Sequence, residues 1–472
     1  MTIVADSTTG LDVRRQEVTG ARAALRREML GWARLSVGAL VVAGVFAILL
    51  AISRIPGIEE VFPWPLGFFA KGLVIHVVFS LIVWLLGVFA FLVTFATLNA
   101  CGDDVRLRFL GALGQALVVM AFPCLFVPAF FDSTTPELVN YVPLIRHPAY
   151  DIGLLLLAFG ILAPVLRLIA NLALRKAAPT TIGVAMSAGS LVYIVALSCL
   201  LIAAIFLIRT GDLQTSRDQL FWGGGHLLEF VYTIVMMMNW AILARESLGE
   251  QAVDTDIFRL SVLLIAIFSL AAPAFYSIFE PFSDRQHEAF RVLQFVLVLP
   301  TVLLAASLLG GALRLGRPSQ WPWREPAFVA LAVSLVLFAV GGTMGLLISG
   351  SDTRTPAHYH AVVTAVSVSS MGMLLTFALR ELGRPSVSDR VVRLLVLLYG
   401  GGQLFASLGM FLAGGYGAPR KSPTSAGSLV DMAAAGMFLH GISALFAVAG
   451  GATFVVVALL AFRRVRPAQT ST

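Results

Sequence analysis

Twelve apolar, nearly uncharged runs dominate the chain, near residues 31–52, 67–98, 107–131, 150–174, 181–209, 220–246, 257–281, 288–312, 326–349, 357–380, 391–415 and 430–462. A helix needs about 20 such residues to cross a bilayer. In lipid a segment must satisfy its own backbone N–H and C=O groups, and runs of this length do so as helices. The expected fold class is therefore all-α: a polytopic membrane protein with one twelve-helix domain over 31–462. It lies between an N-terminal tail, 1–30, and a C-terminal tail, 463–472. With 58% hydrophobic and 12% charged residues, the composition excludes a soluble domain, and no linker is long enough to hold one.

The basic residues set the orientation. Arg106 and Arg108, Arg175 and Lys176, Arg245, Arg314 and Arg317, the arginines from Arg380 to Arg393, and Arg463, Arg464 and Arg466 fall in every second loop. They lie on the side of the basic N-terminus, which carries Arg14, Arg15, Arg22, Arg26 and Arg27. The alternate loops hold acidic or mixed stretches such as Glu59-Glu60 and EPFSDRQHE. By the positive-inside rule both termini are cytoplasmic, as expected for a protein of the bacterial inner membrane. The N-terminal segment has no short apolar core with a cleavage site and reads as a tail. The net charge of +7 is thus spent on topology, and nucleic acid is not an expected partner. Cys101, Cys124 and Cys199 form no disulfide framework, no CxxCH haem attachment and no paired thiolates for a copper electron-entry centre. Any electrons must come from a partner protein.

In this orientation all seven histidines share one layer. His76, His226, His358, His360 and His440 lie in the outer halves of their helices, and His147 and His287 lie in or beside outer loops. Neutral imidazole is the usual nitrogen ligand for haem iron and copper, so a shared cofactor layer is expected. His358 and His360 leave their helix about 200° apart, and each can hold something of its own. In helix 6, Gly223 to Gly225 allow close approach of a backbone or cofactor just before His226. Glu229 follows at i+3 on the same face, and a carboxylate at that depth must be paired, protonated or metal-bound. His440 and Met236 to Met238 read as packing, and His147 as a loop residue.

Taken together, the twelve helices, the histidine of helix 2, the Gly-His of helix 6, the D-T…A-H-Y-H of helix 10 and GGYGAPRKSP between helices 11 and 12 resemble subunit I of the haem-copper oxidase superfamily. These are the catalytic subunits of cytochrome c oxidases and nitric oxide reductases. The resemblance implies two haems. His76 and His360 would be the axial ligands of a low-spin haem, and His358 the proximal ligand of a high-spin one. His226 would be a ligand of a second metal, copper or non-haem iron, and Arg420 and Lys421 would face the haem propionates.

The departures lie in the second-metal pocket. The family's pair of adjacent histidines after helix 7 has no counterpart. Matching by motif puts Gln286-His287 there, and matching by residue count puts Tyr276-Ser277 there. His287, Tyr276 and Glu229 are therefore the candidate supplements to His226. Phe230 stands where oxidases carry a tyrosine, and helix 8 has no lysine for proton uptake. Glu229 resembles the nitric oxide reductase branch. The expected function is a respiratory oxidoreductase that reduces O2 or NO with electrons from a partner. The alternatives are a haem-binding sensor or assembly protein without catalysis, and a twelve-helix secondary transporter.

Overall fold

The computed structural model describes residues 8–52, 65–102, 104–174, 180–213, 215–348, 352–420 and 430–464. Lys421, Arg175, Lys176, Glu59, Glu60 and Arg466 lie outside the described residues. Within them, twelve helices are long and apolar enough to cross a membrane. They are α1 (Arg22–Leu50), α2 (Phe69–Cys101), α3 (Phe109–Phe130), α4 (Pro148–Ala173), α5 (Thr181–Thr210), α6 (Arg217–Leu248), α7 (Thr255–Ile278), α8 (Asp284–Leu313), α9 (Pro326–Leu346), α10 (Arg354–Glu381), α11 (Asp389–Gly415) and α12 (Asp431–Arg463). Each covers one of the apolar runs. Helical structure before α1 begins at Thr8, so the basic segment assigned as a tail is largely helical.

Three helices form the centre. The apolar windows of α2, α6 and α10 are 83%, 89% and 78% buried, against 28–50% for the other nine. These three carry His76, His226, His358 and His360. The outer helices instead expose large apolar side chains, among them Met120, Phe159, Leu201, Ile267 and Phe438, as a lipid-facing surface requires.

The central helices are tied by buried polar groups. Trp84 of α2 donates Nε1–H to the Ser367 hydroxyl of α10 at 3.3 Å. Trp240 of α6 donates to Ser334 of α9 at 2.7 Å, and Ser334 donates onward to the Ala365 carbonyl of α10 at 2.7 Å. Interhelical bonds of this kind contribute about 0.6 kcal/mol each, so they fix register more than they hold the bundle together. Two π-helical turns interrupt α2 and α10. One, Val78–Val83, starts two residues after His76, and the other is Leu374–Ala378; such turns often accompany functional sites.

One structure lies outside the all-helical expectation. Strands β1 (Thr135–Glu137) and β2 (Leu144–Arg146) form an antiparallel hairpin between α3 and α4, with Pro136 opposite Ile145. A three-residue strand containing proline leaves no alternating pattern to read.

The other end of the bundle holds a buried ion pair. Arg167 of α4, 0% exposed, reaches Glu28 of α1, whose side chain is 11% exposed. The contact is bidentate, at 2.6 and 2.7 Å. Thr94 of α2 and Trp32 also donate to Glu28 Oε1, at 3.0 and 3.3 Å. Gly111 of α3 leaves the space, since a Cβ there would strike both the Glu28 carboxylate and the Arg167 guanidinium. Removing one partner would strand a desolvated charge, at a cost of about 3–5 kcal/mol. Arg167→Met should therefore lower thermal stability in detergent strongly, whereas Arg167→Met combined with Glu28→Gln should recover most of the loss. Equal unfolding temperatures for the two variants would show that the pair does not act as a unit.

Candidate functional site

The Trp84–Ser367 bond gives a common height for α2 and α10. His76 lies eight residues outward from Trp84, and His360 seven outward from Ser367. At 1.5 Å per residue the second is a rise of about 10 Å, and the π-helical turn Val78–Val83 shortens the first below the roughly 12 Å of a regular α-helix, so the two imidazoles lie near one level on two of the central helices. His76 Nδ1 lies 2.9 Å from the Ala43 carbonyl of α1, and His358 Nδ1 lies 2.7 Å from the Gly341 carbonyl of α9. A carbonyl can only accept, so Nδ1 carries the proton in both rings, and Nε2 keeps its lone pair. A histidine ligand oriented through its other nitrogen has this arrangement. Gly345 lets the second contact form, because a Cβ there would sit 2.7 Å from His358 Cε1 and 2.8 Å from Nδ1. The His360 ring stacks on Tyr359 at 5.9 Å. Imidazoles with a lone pair left on Nε2 fit as axial ligands of haem iron.

The start of α10 is fixed from both sides. Thr353 donates its N–H to the Ala418 carbonyl at 3.0 Å and its hydroxyl to the Met410 carbonyl at 2.8 Å. Asp352 pairs with Pro419 in an isolated β-bridge. It also accepts from the Arg354 N–H at 2.8 Å and from the Arg354 guanidinium at 2.7 Å. That guanidinium holds the Asp352 carboxyl below the ordinary aspartate range. Arg420 follows the bridge directly and lies within electrostatic reach of Tyr359. Its predicted neighbour Lys421 is outside the described residues.

The second cluster surrounds the N-terminal end of α6. His226 is fully buried, and both of its ring nitrogens are engaged. Nδ1 lies 2.6 Å from the Trp222 carbonyl, and Nε2 lies 2.7 Å from the Tyr141 hydroxyl. Tyr141 sits in the loop of the β1–β2 hairpin with φ of 65°, a conformation rare for a bulky side chain and costing about 1–3 kcal/mol. Local contacts enforce it. Asp218, in the first turn of α6, accepts from the Asn140 N–H at 2.7 Å, and Arg217 beside it pairs with Asp151 of α4. Gly225 has no Cβ to collide with that of Tyr141. Burial pushes the Tyr141 phenol upward, and the charges of Glu229 and Asp218 act in the same direction, so it is protonated at neutral pH.

The structure brings the four candidates of this pocket to one helix end but gives them different partners. Glu229 Oε2 accepts from the Gln294 amide of α8. Tyr276 is buried with its hydroxyl against Gly223, and its ring lies 5.7 Å from Phe290. His287 packs its ring on Trp222 at 4.5 Å. Its neighbour Gln286 turns to the α7–α8 connection, where it accepts from the Phe282 N–H at 2.8 Å and donates to the Phe275 carbonyl at 3.3 Å; Ser277 is exposed. Each of the two alternative matches thus supplies one residue to the cluster, Tyr276 from one and His287 from the other. Tyr141 and Gln294 escaped the sequence reading. The only available signals were a tyrosine in an outer loop at the histidine level and a lone amide in the apolar run of helix 8.

His440 places Nδ1 3.2 Å from the Ala406 carbonyl of α11, and His147 accepts from the Ala149 N–H at 3.2 Å at the start of α4. Among the described residues, no group of three His, Cys, Asp or Glu side chains converges as a metal site. With both ring nitrogens already hydrogen-bonded, His226 as arranged here leaves no lone pair for a second metal.

The chain resembles an uncharacterised protein of Rickettsia prowazekii, with 23% identity over 90% of this chain and 94% of that one. It is also 28% identical to cytochrome c oxidase subunit 1 of Thermus thermophilus, over 43% of this chain and 40% of that one. Its fold superposes on a haem-copper terminal oxidase solved as a dimer by cryo-EM, with a TM-score of 0.78 and 17% identity, covering 95% of this chain and 86% of that one. The model of one family, cytochrome c and quinol oxidase polypeptide I, matches residues 30–449. With twelve membrane helices and nearly the whole bundle inside that match, the chain belongs to this family of integral membrane oxidoreductases.

Proposed function

We propose that the chain is the haem-binding subunit of a respiratory oxidoreductase of the bacterial inner membrane, passing electrons from a partner protein or subunit to O2 or NO. The observation that carries this reading is the shared arrangement of His76 and His358, each with Nδ1–H on a backbone carbonyl and Nε2 left with its lone pair. His76 and His360, level on α2 and α10, would hold one haem; His358, facing α9, would hold the other. Bound haems supply electron transfer at the first position and binding of the diatomic substrate at the second. The chain's own part is orientation of the ligands, exclusion of water and handling of protons. Arg420 and Lys421 supply positive charge for haem propionates. Glu229, held by Gln294 beside His226, is the carboxyl group placed to exchange protons with the pocket. Its position, with Phe230 in place of a tyrosine, favours NO. The basic loops support cytoplasmic termini and a haem layer on the outer side.

A second reading, a haem-binding sensor or assembly protein, draws on the full engagement of His226. Consumption of O2 or NO by the reduced protein separates the two, since a sensor would bind the gas without turnover.

Purified protein should contain two haems per chain by pyridine haemochrome assay. His76→Ala and His360→Ala should each halve the haem content and remove the low-spin optical bands. His358→Ala should halve it and spare those bands. A protein without haem would overturn the proposal.

The helix contact behind His358 gives a separate expectation. Gly345→Ala should displace the imidazole and lose the second haem while the first remains, whereas Gly342→Ala, where a Cβ meets open space, should keep both. Equal haem content in the two glycine variants would show that His358 is not held against α9 as a ligand.

A further inference from the structure

Hydrogen-bond polarity around His226 can be followed atom by atom. The Trp222 carbonyl can only accept, so His226 Nδ1 carries the ring proton, and Nε2 is the acceptor of the Tyr141 hydroxyl at 2.7 Å. The hydrogen-bonded run is therefore Tyr141–His226–Trp222, with the Gln294–Glu229 pair beside it, and the one lone pair that His226 could offer a metal is already used.

The neighbouring rings work in the same direction. The imidazoles of His226 and His287 both contact the indole of Trp222, at 5.2 and 4.5 Å. The ring of Tyr141 lies tilted against His226 at 4.4 Å, and that of Phe290 at 5.7 Å. His287 Nε2 is buried without a hydrogen-bond partner, but one imidazole nitrogen beside a protonated phenol is a poor set for copper or iron, which require several lone pairs converging on one point. The left-handed backbone of Tyr141 and the missing Cβ at Gly225 show that the phenol is held there at a conformational cost.

We infer that this pocket operates without a second metal, Tyr141 having taken the coordination position of His226 and become the positioning residue that fixes its tautomer. The inference takes the His358 haem of the proposed function as the pocket's neighbour. The phenol–imidazole hydrogen bond then occupies the position where a metal ion would otherwise be held.

The full-length protein, purified in detergent with its haem, tests this by two independent measurements. The first is elemental analysis after a chelator wash and again after incubation with Cu(I) and with Fe(II). Iron matching the haem content, with no retained copper or additional iron, is expected. One retained metal per chain, lost in His226→Ala with haem unchanged, would overturn the proposal. The second is ultraviolet resonance Raman difference spectroscopy of the wild type against Tyr141→Phe. It should show a phenol donating a strong hydrogen bond, and that signature should vanish in His226→Ala. A Tyr141 signal unaffected by His226→Ala would also overturn it. Failure of the haem reading would appear separately, as absent haem with the phenol signature intact.

Discussion

A histidine placed in hydrocarbon must commit one ring nitrogen to a protein acceptor, because an unpaired polar group there costs several kcal/mol. In this bundle backbone carbonyls supply that acceptor. Nδ1 of His76, His226, His358 and His440 meets the carbonyls of Ala43, Trp222, Gly341 and Ala406 in turn. Three of these carbonyls come from a neighbouring helix and one from the helix's own preceding turn. The tautomer is thereby the same in all four rings, and each ring's character is decided by what Nε2 meets. His226 meets a phenol. For His76 and His358 the lone pair is left over, which is what the axial ligand of the proposed function would need.

This arrangement depends on close helix contact, which small residues provide. Gly345 allows α9 to reach His358. Gly409 and Gly436 bring α11 and α12 together, since a Cβ on either would lie within 2.6 Å of the other's carbonyl oxygen. Membrane helices associate through such contacts because lipid gives them no hydrophobic incentive to do so. The seam from Trp84 through Ser367, and from Trp240 through Ser334 to Ala365, then sets the heights of α2, α6, α9 and α10. The level of His76 and His360 follows from that registry.

The parts of this structure legible in the sequence were those written in length and composition. Twelve apolar runs became twelve helices, and the opposite exits of His358 and His360 follow from helical pitch alone. The hairpin at Thr135–Arg146 was not legible, since its strands are three residues long and one contains proline. Tyr141 was hidden for a different reason. Its partner is 85 residues away, and the contact depends on a positive φ that no local motif announces. The choice between Gln286-His287 and Tyr276-Ser277 was posed as an alignment question, yet the fold answers it with packing. A pair of adjacent residues on a helix diverges, so only one member of each pair can face α6.

The three glycines before His226 show the same limit at the pocket itself. Their sequence says only that something approaches closely. In the structure each admits a different neighbour: Gly223 the Tyr276 hydroxyl and Phe290, Gly224 the side chain of Leu200 and the carbonyl of Ala196, and Gly225 the Cβ of Tyr141. The outer loop is then locked over them, because Asp218 holds Asn140 and Arg217 holds Asp151. Moving Tyr141 away from His226 would require breaking the loop's attachment to the first turn of α6. The shape of this pocket is therefore set by the connection between α3 and α4 as much as by α6.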